Sequence, residues 1–167
     1  MLGYVMPEGR GAADRLMRET AEALRAAGVA VAGAVQINTE TSHHDKCRMD
    51  LHVLPSRTVV PISQSLGPMA EGCRLDPDGL ERAVGLVAAA LEAGAGALVV
   101  NKFGKQEAEG RGFRPVIGEA IAAGVPVVTA VAPGYLDAFL AFAGDLAERL
   151  PEDVTAVCTW CRAQAAE

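Results

Sequence analysis

Aromatic residues are scarce in this chain, with one Trp, two Tyr and four Phe among 167 residues. A core so short of rings must be filled by Ala, Val, Leu and Ile, and the apolar half of the sequence supplies them. Four cysteines are too few to demand a disulfide framework at this size, so reduced thiols are expected. No apolar run approaches the roughly 20 residues that span a bilayer. The opening MLGYVMPEGRG has no basic stretch followed by an apolar run, as a signal peptide would. Basic residues are outnumbered, 15 Lys and Arg against 21 Asp and Glu, and the net charge of −6 argues against general nucleic-acid binding. These absences point to a cytoplasmic protein folded as one domain over residues 1–167, with one substantial core.

What is present is an alternation of strand and helix patterns. Residues 2–6 form a short apolar strand broken by Gly9-Arg10-Gly11. Leu16, Thr20, Leu24 and Ala27 then recur at helical spacing as far as Gly28. Residues 29–37 are almost wholly apolar, the pattern of a strand covered on both faces, and 38–46 read as a polar loop. Met49, Leu51 and Val53 alternate with Asp50 and His52, and Thr58-Val59-Val60-Pro61-Ile62 follows a Pro55-Ser56-Arg57 turn. That pair predicts a β-hairpin with one wet face, Pro61 placing its second arm at a sheet edge. Asp76-Pro77 caps and opens a helix whose buried stripe is Leu80, Val84, Val87 and Leu91. Residues 97–100 and 125–131 are further buried strands, separated by a helix through Phe113, Ile117 and Ile121. Helices through Leu136, Phe139, Leu140, Ala143 and Leu146, and through Val154, Val157, Cys158 and Cys161, complete the pattern. The alternation predicts an α/β domain in three layers, a mainly parallel sheet with an inserted antiparallel hairpin. Ligands of such sheets sit beyond the carboxyl ends of the strands, where the loops at 7–11, 38–46 and 101–112 emerge.

Each of these loops carries a candidate site. Gly9-Arg10-Gly11 joins a strand to a helix N-terminus, where free backbone N–H groups make an anion cradle; two glycines making a tight turn is the plainer reading. A working phosphate loop also needs a Lys and a hydroxyl after its last glycine, and Ala12 and Ala13 stand there. In the stretch from Asn101 to Arg114, Lys102, Lys105, Arg111 and Arg114 outnumber Glu107 and Glu109, leaving a local +2 on an acidic chain. A positive spot at the ligand edge favours a small anion, and Asn101, Lys102, Gly104, Lys105, Glu107 and Arg111 are its candidate binding residues. His43, His44 and Cys47 are types that ligate zinc or copper, but their spacing matches no standard zinc module. Cys47 beside those histidines stays open as a thiol–imidazole pair. Asp50 is read on the wet face of the hairpin, as a ligand contact or a solvated carboxylate. Cys158-Thr159-Trp160-Cys161 has the spacing of a redox pair but continues the apolar stripe of a helix, and reads as packing.

The run Val99-Val100-Asn101-Lys102-Phe103-Gly104-Lys105-Gln106-Glu107-Ala108-Glu109-Gly110-Arg111-Gly112 resembles the signature of the DUF2478 family of uncharacterised bacterial proteins. Cys47-Arg48-Met49-Asp50-Leu51 and Gly72-Cys73-Arg74-Leu75-Asp76 resemble its other two marks and add Cys73 to the candidates. The resemblance implies an association with molybdenum uptake. The layout is also similar to small nucleoside-triphosphatases of the P-loop class, whose corresponding strand ends in Asp-Glu-Ile-Gly-Lys-x-Glu. Gly104, Lys105 and Glu107 match that pattern, whereas Asn101 and Lys102 stand where its Asp and Glu belong. The scaffold carries over; the metal and the catalytic carboxylate do not. The expectation is a protein that binds an oxyanion such as molybdate or tungstate, or a nucleotide phosphate, without Mg²⁺-dependent hydrolysis. A divergent hydrolase with its metal on Asp50 or Glu107 is the enzymatic alternative, and metal or protein-partner binding through the loop at 43–47 is the third reading.

Overall fold

The computed structural model describes residues 1–39, 48–64 and 74–165. Its main sheet has seven strands in the order β4-β3-β2-β7-β8-β1-β9. Five are parallel: β1 (Leu2–Val5), β2 (Val31–Thr39), β7 (Ala97–Phe103), β8 (Val127–Val131) and β9 (Ala147–Arg149). The hairpin strands β3 (Arg48–Leu54) and β4 (Val59–Pro61) add antiparallel to β2, with Pro61 on the edge strand as expected. A two-stranded ribbon, β5 (Ser63–Gln64) with β6 (Arg74–Leu75), follows. The helices are α1 (Ala12–Ala26), α2 (Pro77–Glu92), α3 (Lys105–Ala108), α4 (Arg114–Ala122), α5 (Leu136–Ala143) and α6 (Val154–Gln164).

The strand order dictates the layers. From β1 the chain crosses the sheet in one direction to reach β2, then returns through β7 and β8 to β9 in the other. With right-handed crossovers, the outward helix and the returning helices must lie on opposite faces. The core divides that way. Leu16, Met17, Ala21 and Leu24 of α1 pack with Val157 and Cys161 of α6 over Val5, Val99 and Val128. Leu80 and Val87 of α2, Ile117 of α4 and Phe139 of α5 pack over Leu2, Leu98, Val100 and Val127. Each central strand therefore buries both faces, which is why β7 and β8 read as continuous apolar runs. The result is a three-layer P-loop-like α/β fold.

Asp76 caps α2 as expected, its Oδ1 accepting the Asp78 N–H at 3.1 Å, and Pro77 occupies the first turn. Three features differ from expectation. The helix expected through Leu146 ends at Ala143, and the chain then forms the edge strand β9 beside β1. Three exposed or half-buried residues carry no period, so only the free edge of β1 reveals this strand. Strand β7 runs on through Asn101 and Lys102 to Phe103. Val100 pairs with Thr129 and Phe103 with Val131, so β7 spends one residue more than β8 and bulges at Asn101 and Lys102. Finally, the hairpin has no fully wet face. Asp50 is only 8% exposed, because Arg48 lies against it, its Nε 2.9 Å from Oδ2.

Candidate functional site

All five parallel strands end at one edge, so the Gly9-Arg10-Gly11 turn and the Lys102 to Lys105 segment share it, with β8 between their strands. The first turn of α1 reaches across to β7. Asn101, 2% exposed at the bulge, donates from Nδ2 to Asp14 Oδ1 at 2.7 Å and accepts the Gln36 backbone N–H on Oδ1 at 2.8 Å. The second Asp14 oxygen accepts from Asn38 Nδ2 at 2.7 Å, and Asn38 Oδ1 accepts from Gln36 Nε2 at 2.8 Å. The four residues close a ring of hydrogen bonds that ties α1 to the ends of β2 and β7. Amides and one carboxylate thus fill the space between the strand-end residue and the first helical turn. The described residues hold no grouping of three His, Cys, Asp or Glu fit for a metal.

Beside this ring a cleft of about 360 Å³ opens between β3, the start of α2 and the end of β7. Its walls are apolar: Met49, Leu51, Ile62, Leu75, Phe113 and Tyr135. Gln36, Asn101, Lys102, Lys105 and Gln106 supply its polar part. Lys102 and Lys105 are exposed and have no ion-pair partner among the described residues. The other two cations of this stretch are engaged. Arg111 pairs with Glu109 and donates from Nε to Gln106 Oε1 at 3.1 Å, while the Arg114 guanidinium lies 4.7 Å from the centre of the Phe142 ring. Only Arg111 is neutralised by a carboxylate, while Arg114 keeps its charge against the Phe142 ring. The exposed positive charge beside the cleft is therefore that of the two lysines.

Glu107 shapes the loop that presents them. It is 4% exposed, and its Oε2 accepts the Gly104 N–H at 3.0 Å while Oε1 accepts the Phe113 N–H at 3.0 Å. Both oxygens are spent on backbone, which leaves the carboxylate acting as a staple across residues 104–113. Gly112, with φ +60°, has no room for a side chain, since a Cβ would stand 2.2 Å from Glu107 Oε1.

The Gly9-Arg10-Gly11 turn sits differently. Gly9 and Gly11 adopt φ of +96° and +71°, and a Cβ on either would meet nothing, so they serve the turn and not a close approach. The hollow beside the turn is lined by Glu8, Glu19, Glu152 and Asp153 against one cation, Arg15. Ala12 and Ala13 begin α1 with no Lys or hydroxyl between them. Asp50 pairs with Ile37 of β2 at a register where it alternates away from Met49 and Leu51, which line the cleft. His43, His44, Cys47 and Cys73 lie outside the described residues. At the other end of the chain, Cys161 is 1% exposed, and burial pushes its thiol up to about 12. Trp160, between the two cysteines, donates to Glu148 Oε2 at 2.8 Å and so pins β9 to α6.

The sequence reading did not single out Asp14, Gln36 or Asn38. An acidic residue in a first helical turn is an ordinary helix feature; only the crossing of α1 to β7 gives Asp14 its partner. Nor did it find the walls Ile62, Leu75 and Tyr135, which come from separate elements.

Fold and site together define a P-loop-like α/β protein in which Ala12 and Ala13 open α1 and Asn101 stands at the bulge near the end of β7. The chain belongs to the family described as protein of unknown function (DUF2478), whose model matches residues 2–160. It is 36% identical over 149 residues to the molybdenum import ATP-binding protein ModC 2 of Bradyrhizobium diazoefficiens. That alignment covers 89% of this chain and 17% of the relative, so the chain corresponds to a small part of the longer protein. No solved structure matches.

Proposed function

We propose that this protein binds a small oxyanion or the phosphate of a nucleotide at the Lys102 to Lys105 segment, without hydrolysis, in the service of molybdenum handling. The observation that carries the reading is the pair of lysines, without ion-pair partners among the described residues, beside a cleft at the strand-end edge of an acidic protein. The anion belongs with these lysines more than with the Gly9-Arg10-Gly11 turn, whose neighbouring hollow is lined by four carboxylates. Asn101 and Glu107 act as the frame, holding the bulge and the loop in place. The name of the Bradyrhizobium relative, with its molybdenum import and ATP binding, supports both the setting and a nucleotide as one ligand to try. No helix among the described residues is long and apolar enough to cross a membrane.

Charge-assisted hydrogen bonds contribute about 1.5–3 kcal/mol each. Three or four such bonds reach roughly micromolar affinity once association costs are subtracted. Titration calorimetry with molybdate, tungstate, sulfate and ATP tests the proposal. At least one should bind below millimolar concentration, and Lys102→Ala should weaken it about tenfold or more, the loss of ~1.4 kcal/mol. Absence of binding, or indifference to the lysine change, would leave the segment a solvated surface.

A further inference from the structure

We infer that the ligand is a phosphorylated heterocycle whose ring enters the apolar cleft while its phosphate rests on Lys102 and Lys105. This rests on the anion reading above and names the ligand class. The cleft's size is the first argument. At about 360 Å³ it lies within the roughly 300–1,000 Å³ of small-molecule pockets. A tetrahedral oxyanion has five heavy atoms and leaves most of that space empty, whereas organic ligands occupy pockets of this order. The lining is the second. A dianion deep among Met49, Leu51, Ile62 and Leu75 would lose its hydration with nothing in return. An organic ring gains from the same walls.

Aromatic usage supplies the third argument. Phe103, Phe113 and Tyr135 all line this cleft, three of the seven aromatic side chains of an aromatic-poor sequence. Phe103 and Phe113 are buried and form an apolar floor, and half-buried Tyr135 is the ring on which such a ligand can stack. The Asn101 amide and the Gln36 NH₂ are bound in the ring of hydrogen bonds. Half-buried Gln106 borders the same space with an NH₂ that has no partner among the described residues and can donate to a heterocycle edge. The exposed lysines stand where a phosphate leaving the cleft would meet solvent. The ligand is thereby turned away from the carboxylate-lined hollow at the start of α1, and its phosphate does not lie on the Gly9-Arg10-Gly11 turn.

The test compares AMP, GMP and UMP with adenosine, inorganic phosphate and molybdate by calorimetry, and follows amide NMR shifts during the titration. At least one nucleoside monophosphate should bind about tenfold or more tightly than either inorganic anion. Lys102→Ala should reduce its affinity toward that of the bare nucleoside. Met49→Trp, which narrows the cleft from β3 and keeps both lysines in the chain, should abolish the preference for nucleotides and leave the weak binding of phosphate. Tyr135→Ala, at a half-buried position, should weaken AMP and not phosphate, and serves if the tryptophan variant does not fold. Amide shifts should centre on residues 102–107. Inorganic anions bound as tightly as nucleotides, with Met49→Trp and Tyr135→Ala silent, would overturn the ligand class while sparing the anion site. Shifts centred on Gly9 and Gly11 would overturn the placement. Binding of no anion at all would remove both this inference and the proposal beneath it.

Discussion

Asn101 shows why a single atom matters at this edge. Its side chain accepts an N–H with one atom and donates to a carboxylate with the other, which an ionised carboxylate, an acceptor only, does not do. Asn101→Asp sets a second carboxylate against Asp14 in a buried place. The variant should lose about 3 kcal/mol of stability at neutral pH, through one lost hydrogen bond and charge repulsion. The sign with pH follows from linkage. The folded state would hold a proton on the introduced carboxyl more tightly than the unfolded chain does. The deficit should therefore grow as pH rises through the carboxylate range and shrink as it falls. Urea denaturation of variant and parent at about pH 5 and about pH 8 checks this, and an equal deficit at both would refute the carboxylate pairing.

At the scale of elements, the segment after β7 is organised by its own sequence and by contacts from a distance. Glu107 closes Gly104 and Phe113 onto itself, and Glu81 of α2 accepts the Gly112 N–H at 3.1 Å. Glu107→Gln keeps the shape but offers an NH₂ to one of two backbone donors. The expected cost is about 2 kcal/mol of stability, from one lost bond and one unsatisfied N–H. A thermal shift with the sheet intact by circular dichroism would show it, together with faster amide exchange at Gly104 or Phe113. No change in either would mean that the staple is dispensable. Elsewhere the sheet depends on Gly33 of β2, where φ is +143° and a Cβ would lie 1.9 Å from the Val99 carbonyl oxygen. Strand β2 approaches β7 this closely only because that residue has no side chain.

For the whole molecule, the question is whether a P-loop-like scaffold with Ala12 and Ala13 at the start of α1 turns over nucleotide. Phosphoryl transfer depends on a bound cation and a phosphate-loop lysine to neutralise developing charge. Ala12 and Ala13 offer neither lysine nor hydroxyl, and the strand-end residue is an amide already bonded to Asp14. Purified protein incubated with ATP or GTP and Mg²⁺ should release no phosphate above a denatured control. Robust turnover abolished by Glu107→Gln in a folded variant would establish a hydrolase instead.

The alternation of buried strands and helices, the edge position of Pro61 and the Asp76 cap were legible in the sequence, because period, capping and proline geometry act within a few residues. The charge excess at 102–114 was legible for the same reason. Its distribution was not: only folding set Arg111 against Glu109 and Arg114 against the Phe142 ring, and left Lys102 and Lys105 without an ion-pair partner among the described residues. Strand β9 was hidden because three residues carry no pattern and the free edge of β1 recruits them. Asp50 read as wet because alternation gives the face but not what covers it, and Arg48 does. The ring through Asp14, Gln36, Asn38 and Asn101, and the cleft beside it, join residues far apart in the chain. Their partners are set by the crossing of α1 over the sheet and by the packing of α2 against the hairpin, which no local pattern encodes.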